Sequence, residues 1–145
     1  MLDIEPIRIL VIDDQPVVRA GIRMIVQSQS GISVVGEAAN RDEGLALASS
    51  EQPDVILLDL NLGDDNGLDM IGELRMVAPE AKVLILTGLH AVELHRRAVR
   101  SGAMGVVLKE QDPEVLIAAI SRAYAGEIWV ERSLMNSLIK DELAD

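Results

Sequence analysis

Five side chains with the chemistry to handle a phosphoryl group stand at the ends of short apolar runs. Three are carboxylates, one is a hydroxyl and one is an ammonium: Asp13, Asp14, Asp59, Thr87 and Lys109. The runs before them have the pattern of buried parallel strands, and ligands of open α/β sheets collect beyond the carboxyl ends of the strands. We therefore expect these five groups at one edge of a sheet, where they would suit a magnesium ion beside a phosphorylated carboxylate.

The charges of this group indicate its chemistry. Carboxylates held close together repel one another, which raises their affinity for protons, and a bound cation or Lys109 would offset that repulsion. Mg²⁺ prefers oxygen ligands and keeps several waters, so a few carboxylates and one backbone carbonyl suffice. Once ionised, Asp59 is a candidate nucleophile for a phosphoryl group. Lys109 would neutralise the phosphoryl charge, and Thr87 would donate a hydrogen bond to a phosphoryl oxygen.

Each of these residues also has an ordinary structural explanation. The two adjacent acids precede Pro16, which is common at a helix start. By itself, Asp59 fits a strand-end residue that faces solvent, Thr87 fits a local cap, and Lys109 fits an apolar stem that reaches water. The functional interpretation depends on all five occurring together at strand ends.

The elements that position these groups are predicted from five continuously apolar runs. The predicted strands are Ile7–Ile12, Ile32–Gly36, Val55–Leu58, Lys82–Leu86 and Gly105–Leu108. Strands without polar alternation indicate a sheet that is buried on both faces, which is the parallel α/β arrangement. Helical stretches of about 10–14 residues lie between the strands. The predicted fold class is therefore α/β, with a doubly wound five-stranded parallel sheet.

Local signals mark several helices. Asn40 and Glu43 have the spacing of a capping box, and Asp112 is predicted to cap a helix that begins at Pro113. A further helix is predicted around Leu68–Met76. One helix carries four basic residues, which we interpret as a solvated face: His95, Arg96, Arg97 and Arg100.

The last 20 residues depart from the strand–helix pattern. Gly126–Val130 does not fit another βα unit, and Arg132–Leu143 predicts an amphipathic helix. Trp129 is expected to anchor this segment to the preceding residues by burial. The predicted division is residues 1–125 for the main domain and 126–145 for a linker segment.

Composition narrows the classes of function. The chain has 145 residues, 49% hydrophobic and 26% charged, which suits one globular domain. The absence of cysteine excludes disulfides, thiol catalysis and cysteine-ligated zinc. A net charge of −11 argues against nucleic-acid binding by these residues themselves. Because the sequence shows neither a signal peptide nor an apolar run of roughly 20 residues, we expect a cytoplasmic protein without membrane contact.

Four motifs carry a family resemblance: ILVIDDQPVVRAGI, PDVILLDLNLGDDNGLD, VLILTG and SGAMGVVLKE. In this order they resemble the receiver domain of two-component response regulators. The resemblance implies a flavodoxin-like (βα)5 receiver fold with strand order 2-1-3-4-5. It implies that Asp59 is the phosphoacceptor, Thr87 the switch hydroxyl and Lys109 the phosphate-pairing lysine. It also implies a Mg²⁺ site formed by Asp13, Asp14, Asp59 and the backbone carbonyl of Asn61.

The resemblance also implies partners. A sensor histidine kinase would donate the phosphoryl group from its phosphohistidine, so the chain is expected to be a switch with at most slow self-dephosphorylation and not an enzyme. GAMGVVLKE followed by AGEIWVERSLMNSLI resembles the NarL/LuxR type, in which a linker helix leads to a helix-turn-helix DNA-binding domain. We expect that output domain outside this chain, with DNA contact only through it. A homodimer is a further expected assembly.

One position departs from the family pattern. The family usually has Tyr or Phe three residues before the lysine, and that ring turns inward when the switch hydroxyl moves. Val106 stands at this position. A valine has no ring to rotate and so cannot respond to a movement of Thr87 in this way. The family's usual readout through the fourth helix and the fifth strand is therefore not expected here.

Three other classes of function are compatible with parts of the sequence. A stand-alone protein-interaction module would use the acidic surface or the basic helix. A magnesium-dependent phosphohydrolase that resembles the haloacid dehalogenase family would place an Asp-x-Asp pair after the first strand, whereas the acids here are adjacent. A flavodoxin-like cofactor carrier would need a Gly/Ser/Thr phosphate loop where this chain has acids.

Overall fold

The chain folds around one five-stranded parallel sheet. The computed structural model describes residues 5–144. The sheet contains β1 (Ile7–Ile12), β2 (Ile32–Ala38), β3 (Val55–Leu58), β6 (Lys82–Thr87) and β7 (Gly105–Leu108), in the spatial order β2-β1-β3-β6-β7. Two short strands, β4 (Asn61–Leu62) and β5 (Asp65–Asn66), form a separate antiparallel pair. Counting only the strands of the main sheet, the order is 2-1-3-4-5, so the predicted fold class and strand order are confirmed.

At their carboxyl ends β1 and β3 end level with each other, as do β6 and β7, and β6 runs two residues beyond β3 because Leu58 pairs with Ile85. Ile12, the last residue of β1, pairs with Leu58, the last residue of β3. Thr87 is the last residue of β6 and pairs with Leu108, the last residue of β7. Thr87 was predicted to follow its strand, but its backbone still pairs with the neighbouring strand. β2 is likewise two residues longer than predicted, and it ends at Ala38.

Helices cover both faces of the sheet. They are α1 (Pro16–Gln27), α2 (Arg41–Glu51), α3 (Gly67–Val77), α4 (Val92–Arg100), α5 (Pro113–Tyr124) and α6 (Arg132–Ala144). One core cluster contains residues of α1 and α5, and the other contains residues of α2, α3 and α4. Of the helices described over residues 5–144, none has the length and apolar character needed to cross a membrane.

The two clusters explain why the strands are continuously apolar. Successive strand residues point to opposite faces of a sheet. In β1, Leu10 and Ile12 belong to one cluster, whereas Ile9 and Val11 belong to the other. Because each face is covered by helices, both sets of side chains are buried, and no polar alternation remains.

Two of the predicted helix starts were only partly right. The Asn40 side chain accepts a hydrogen bond from the Glu43 backbone N–H, as a capping box requires, but the Glu43 carboxylate accepts from Ala39 N instead of Asn40 N. Helix α5 begins at Pro113 as predicted, yet the Asp112 side chain makes no capping hydrogen bond. Pro113 sets the backbone angle of the first turn, which is sufficient to start the helix.

The linker segment, which the structure describes from residue 126 to residue 144, lies along β7 and α4. Trp129 extends the edge of the sheet: its N–H donates to Met104 O at 2.9 Å, and its carbonyl accepts from Val106 N at 2.8 Å. Gly105 permits this approach, since a Cβ atom at that position would lie 2.2 Å from Trp129 O. Trp129 is partly buried against the core, as expected for an anchor.

The interpretation of the basic helix as a solvated face was wrong for His95 and Arg96, whereas Arg97 and Arg100 are exposed. His95 is buried, with 9% of its surface exposed. Arg96 and Arg100 both donate to the Asp141 carboxylate of α6. Helix α6 packs against this face of α4. The pattern of charges within α4 carries no information about such a contact with a later helix.

Candidate functional site

The five predicted site residues lie together at the carboxyl edge of the sheet. Their backbones belong to β6 or to the turns that directly follow β1, β3 and β7. A cleft of about 300 Å³ opens there, and its lining includes Asp14, Asp59, Asn61, Thr87 and Lys109. Asp13 lies beneath it, 2% exposed, within reach of the same groups. The structure therefore brings together every residue that the sequence assigned to the site.

Lys109 is the positive centre of the cluster. Its Nζ atom donates a hydrogen bond to Asp59 Oδ2 at 2.9 Å and to Gln15 Oε1 at 3.0 Å. The same atom lies 2.9 Å from Asp13 Oδ2. This last contact is an ion pair without hydrogen-bond alignment, so the buried Asp13 Oδ2 accepts no hydrogen bond from any described residue. One ammonium thus faces two buried carboxylates.

Burial and the contacts within the cluster together set the pKa of Asp59 and the pKa of Lys109. Burial raises the pKa of the Asp59 carboxyl above its usual value, although the hydrogen bonds from Lys109 and Asn61 act in the opposite direction. Burial alone would lower the pKa of Lys109, but its contacts with Asp59 and Asp13 outweigh this effect and raise it. The ammonium therefore stays charged, whereas the ionised form of Asp59 is held at a cost.

The donor set suits a divalent cation with a preference for oxygen. Carboxylate oxygens of Asp13, Asp14 and Asp59 lie within 4.8 Å of one another. The Asp13 oxygen without a hydrogen-bond donor faces this group. Asn61 lines the same cleft and donates its backbone N–H to Asp59 Oδ1 at 3.2 Å. The acidic cluster fits Mg²⁺, and the part of the Asn61 carbonyl stays a prediction.

Thr87 is completely buried at the floor of the cleft. Its Oγ1 atom accepts a hydrogen bond from the backbone N–H of Leu89 at 3.1 Å. A hydroxyl that accepts one hydrogen bond can still donate another. The Thr87 hydroxyl can therefore donate a hydrogen bond to an oxygen atom placed next to Asp59.

Sequence reasoning missed three supporting residues. Gln15 accepts from Lys109, and its backbone N–H donates to Asp13 Oδ1 at 2.8 Å. Arg19, one turn into α1, donates to the Asp13 carbonyl. Gly67 lets α3 begin directly against the turn after β3, since a Cβ atom there would lie 2.4 Å from Asp59 O. Of these three residues only Gly67 has a local sequence signal, because it follows Asn66 in a pair that is typical of turns.

Without metal, the charge of Asp59 is expected to weaken the fold as the pH rises. Because the pKa of Asp59 is raised in the folded state, the penalty is absent below its ordinary value and is complete above the raised value. Asp59→Asn removes this penalty, so its free energy of unfolding should exceed that of the wild type by about 1 kcal/mol at neutral pH. Urea unfolding in EDTA from acidic to neutral pH measures the difference, with Asp64→Asn in the exposed loop as the control. A constant difference across this pH range would contradict the prediction.

Comparison with known proteins agrees with this geometry. The family model of the response regulator receiver domain matches residues 9–121. The nitrate/nitrite response regulator protein NarL of Escherichia coli K12 is 38% identical over 130 residues, which cover 90% of this chain and 60% of that protein. The chain therefore spans about 60% of the length of this curated relative.

Two solved structures share the fold. A LuxR-family two-component response regulator from Aurantimonas sp. SI85-9A1 superposes with a TM-score of 0.84 at 29% identity, covering 96% of this chain and 99% of the other. A response regulator from Burkholderia pseudomallei, solved with a phosphorylated aspartic acid, a calcium ion and citrate, has a TM-score of 0.73 at 30% identity, covering 95% and 74%. With the family match over most of the chain, these findings show that the protein belongs to the response regulator receiver domains, with relatives of the NarL/LuxR type.

Proposed function

We propose that Asp59 accepts a phosphoryl group from the phosphohistidine of a sensor histidine kinase, in the presence of Mg²⁺. An oxygen of the Asp59 carboxylate forms a bond to phosphorus, while the bond between phosphorus and the histidine nitrogen breaks and that nitrogen keeps the electron pair. The observation that carries the proposal is the placement of Lys109 Nζ, 2.9 Å from Asp59 Oδ2 on the side open to the cleft.

Each site residue has a role in this transfer. Lys109 neutralises charge on the phosphoryl oxygens and holds Asp59 in place before the transfer. Thr87 donates a hydrogen bond from its hydroxyl group to one of these oxygens. Asp13 and Asp14, with Asp59 and the Asn61 carbonyl, would hold the metal. When bound, Mg²⁺ supplies positive charge that offsets the carboxylates and the incoming phosphoryl group.

We further propose that the chain is a phosphoacceptor switch with slow self-dephosphorylation. The carboxylates that line the cleft, Asp14 and Asp59, are already engaged as metal ligand and acceptor in this proposal, and the described cleft residues include no other carboxylate and no histidine to activate a water molecule. The covalent adduct should therefore last long enough to shift the domain between two conformations. This argument favours a switch over a phosphohydrolase that turns over a substrate.

The wider role is proposed from the relatives. The chain spans about 60% of the NarL relative, and from the resemblance to the NarL/LuxR type we propose that DNA contact is made by an output domain outside these residues. The net charge of −11 supports DNA contact outside these residues. A cytoplasmic location, a homodimer and control of transcription belong to the same proposal.

Incubation with acetyl phosphate and Mg²⁺, followed by intact-protein mass spectrometry, tests the central step. We expect one phosphoryl adduct on the wild type, no adduct on Asp59→Asn, and a normal adduct on the control Asp64→Asn. EDTA should prevent adduct formation. An unmodified wild type would refute Asp59 as the acceptor and favour a protein-interaction module. A modified Asp59→Asn would also refute Asp59, because another residue would then accept the phosphoryl group.

A further inference from the structure

His95 is a buried polar residue that the proposed phosphoryl chemistry does not use. Its Nε2 atom lies 2.7 Å from the carbonyl oxygen of Leu89. Because a carbonyl only accepts, Nε2 carries a proton and donates to Leu89. The backbone N–H of Leu89 in turn donates to Thr87 Oγ1 at 3.1 Å. Two consecutive hydrogen bonds therefore connect the switch hydroxyl to α4.

The next residue of α4 connects this chain to the linker segment. Arg96 follows His95 and donates to the Asp141 carboxylate of α6, and Arg100, one turn later, donates to the same carboxylate. The Arg96 contact is partly shielded, since 23% of the Arg96 side chain and 32% of the Asp141 side chain are exposed. A shift of α4 would consequently disturb the contacts of Arg96 and Arg100 with Asp141 of α6.

His95 also borders the place where the family has an aromatic ring. A cavity of about 240 Å³ is lined by His95, Val106, Trp129 and Leu134, among others. Val106 donates its N–H to the Trp129 carbonyl, and the cavity lies between α4, β7 and the linker segment, which all contribute to its lining. His95 and the linker segment thus occupy the region that an inward-turning ring would use.

We propose that His95 is a positioning residue that transmits the position of Thr87 to α4, so that phosphorylation of Asp59 loosens the docking of the linker segment. The proposal rests on the proposed function of Asp59. When Thr87 donates to a phosphoryl oxygen, Leu89 follows through its N–H, and His95 follows through the Leu89 carbonyl. The displacement of α4 separates Arg96 and Arg100 from Asp141.

The docked state is open to such control because its contacts are few. Ion pairs between partly exposed side chains contribute little. Among the described residues the other main contacts are two backbone hydrogen bonds of Trp129, the packing of its side chain against the core, and the burial of Leu134, which is 5% exposed. A modest difference in affinity between the two states is therefore enough to shift the population.

Trp129 makes the measurement direct, since it is the one tryptophan of the chain. The wild type is phosphorylated with acetyl phosphate and Mg²⁺, and intact mass gives the phosphorylated fraction of each sample. We expect phosphorylation to change Trp129 emission and to accelerate hydrogen exchange over residues 128–143 by about fivefold or more. Absence of any change at full phosphorylation would overturn the proposal.

Variants of α4 separate transmission from simple structural support. His95→Leu should accept the phosphoryl group as the wild type does but lose most of the linker response. His95→Gln keeps an N–H donor of similar reach and should restore the response, whereas a structural role of the imidazole ring would not be rescued in this way. Arg97→Gln, at an exposed residue of the same helix, is the matched control. A full linker response in His95→Leu would overturn the proposal.

A variant of the linker segment provides a second test if His95→Leu fails to fold. Coupling between two sites is reciprocal at equilibrium. Asp141→Asn should therefore accelerate hydrogen exchange of the linker segment without phosphorylation and raise the affinity for beryllofluoride with Mg²⁺ by about fivefold, whereas Glu142→Gln should do neither. An unchanged beryllofluoride affinity would overturn the proposal. A wild type without any phosphoryl adduct, seen by mass alone, would instead overturn the proposed function together with this inference.

Discussion

Lys109→Met is expected to bind Mg²⁺ about tenfold more tightly than the wild type. The Lys109 ammonium lies 2.9 Å from carboxylate oxygens of both Asp59 and Asp13, two of the residues that would hold the metal. It therefore competes electrostatically with a cation for the same oxygens. Methionine fills similar space without the charge, so the acidic cluster becomes more attractive to Mg²⁺. Isothermal titration calorimetry measures the change in Kd.

The same substitution is expected to slow phosphoryl acceptance by about 10²–10³-fold, since an aligned charged donor to the transferred group is lost. Acetyl phosphate at saturating Mg²⁺, with a mass-spectrometric time course, separates this effect from metal affinity. Lys82→Met is the matched control, because Lys82 is the first residue of β6 and lies at the amino ends of the strands, away from the site. Weaker Mg²⁺ binding in Lys109→Met would show that Lys109 organises the carboxylates and does not compete with the metal.

Gly67→Ala is expected to destabilise the domain by about 3 kcal/mol, at the upper end of the usual cost of overpacking. A Cβ atom at this position would lie 2.4 Å from Asp59 O and 2.7 Å from the Leu60 Cα atom. Both are backbone atoms of the turn that holds Asp59, the proposed phosphoacceptor, so the clash cannot be relieved by rotating a side chain. We expect the surviving folded protein to be phosphorylated more slowly as well, because Asp59 must move.

Gly72→Ala is the matched control for Gly67→Ala within α3. A Cβ atom at Gly72 meets nothing within 4 Å, and the residue is exposed. Alanine should therefore stabilise the helix by about 0.5–1 kcal/mol. Urea unfolding of the two variants should give changes of opposite sign. Equal stability of Gly67→Ala and the wild type would mean that α3 can withdraw from the site without cost.

The sheet and the main site residues could be predicted because they depend on strong local patterns. Strands such as Val55–Leu58 are buried on both faces, so their apolar runs are unbroken and their ends are sharp. Parallel strands then bring the residues after each run to one edge, which places Asp59 near Lys109 without further information. The hairpin of β4 and β5 was missed, since two-residue strands have no measurable periodicity.

The residues that were missed depend on contacts between distant segments. Gln15 reaches Lys109 across 94 positions of the chain, and no local signal marks such a contact. The burial of His95 depends on how α4 is rotated against its neighbours, and the roles of Arg96 and Arg100 depend on α6. A run of basic residues indicates a solvated face only when nothing else packs against it.

The strand order has a consequence for synthesis of the protein on the ribosome. β2 and β3 each pair with β1, β6 pairs with β3, and β7 pairs with β6. Trp129 then pairs with the outer edge of β7. After β1, each new strand thus finds its partner among segments that have already been made. The sheet can grow outward in the order of translation, and the linker segment docks on β7 after all five strands of the sheet have been made.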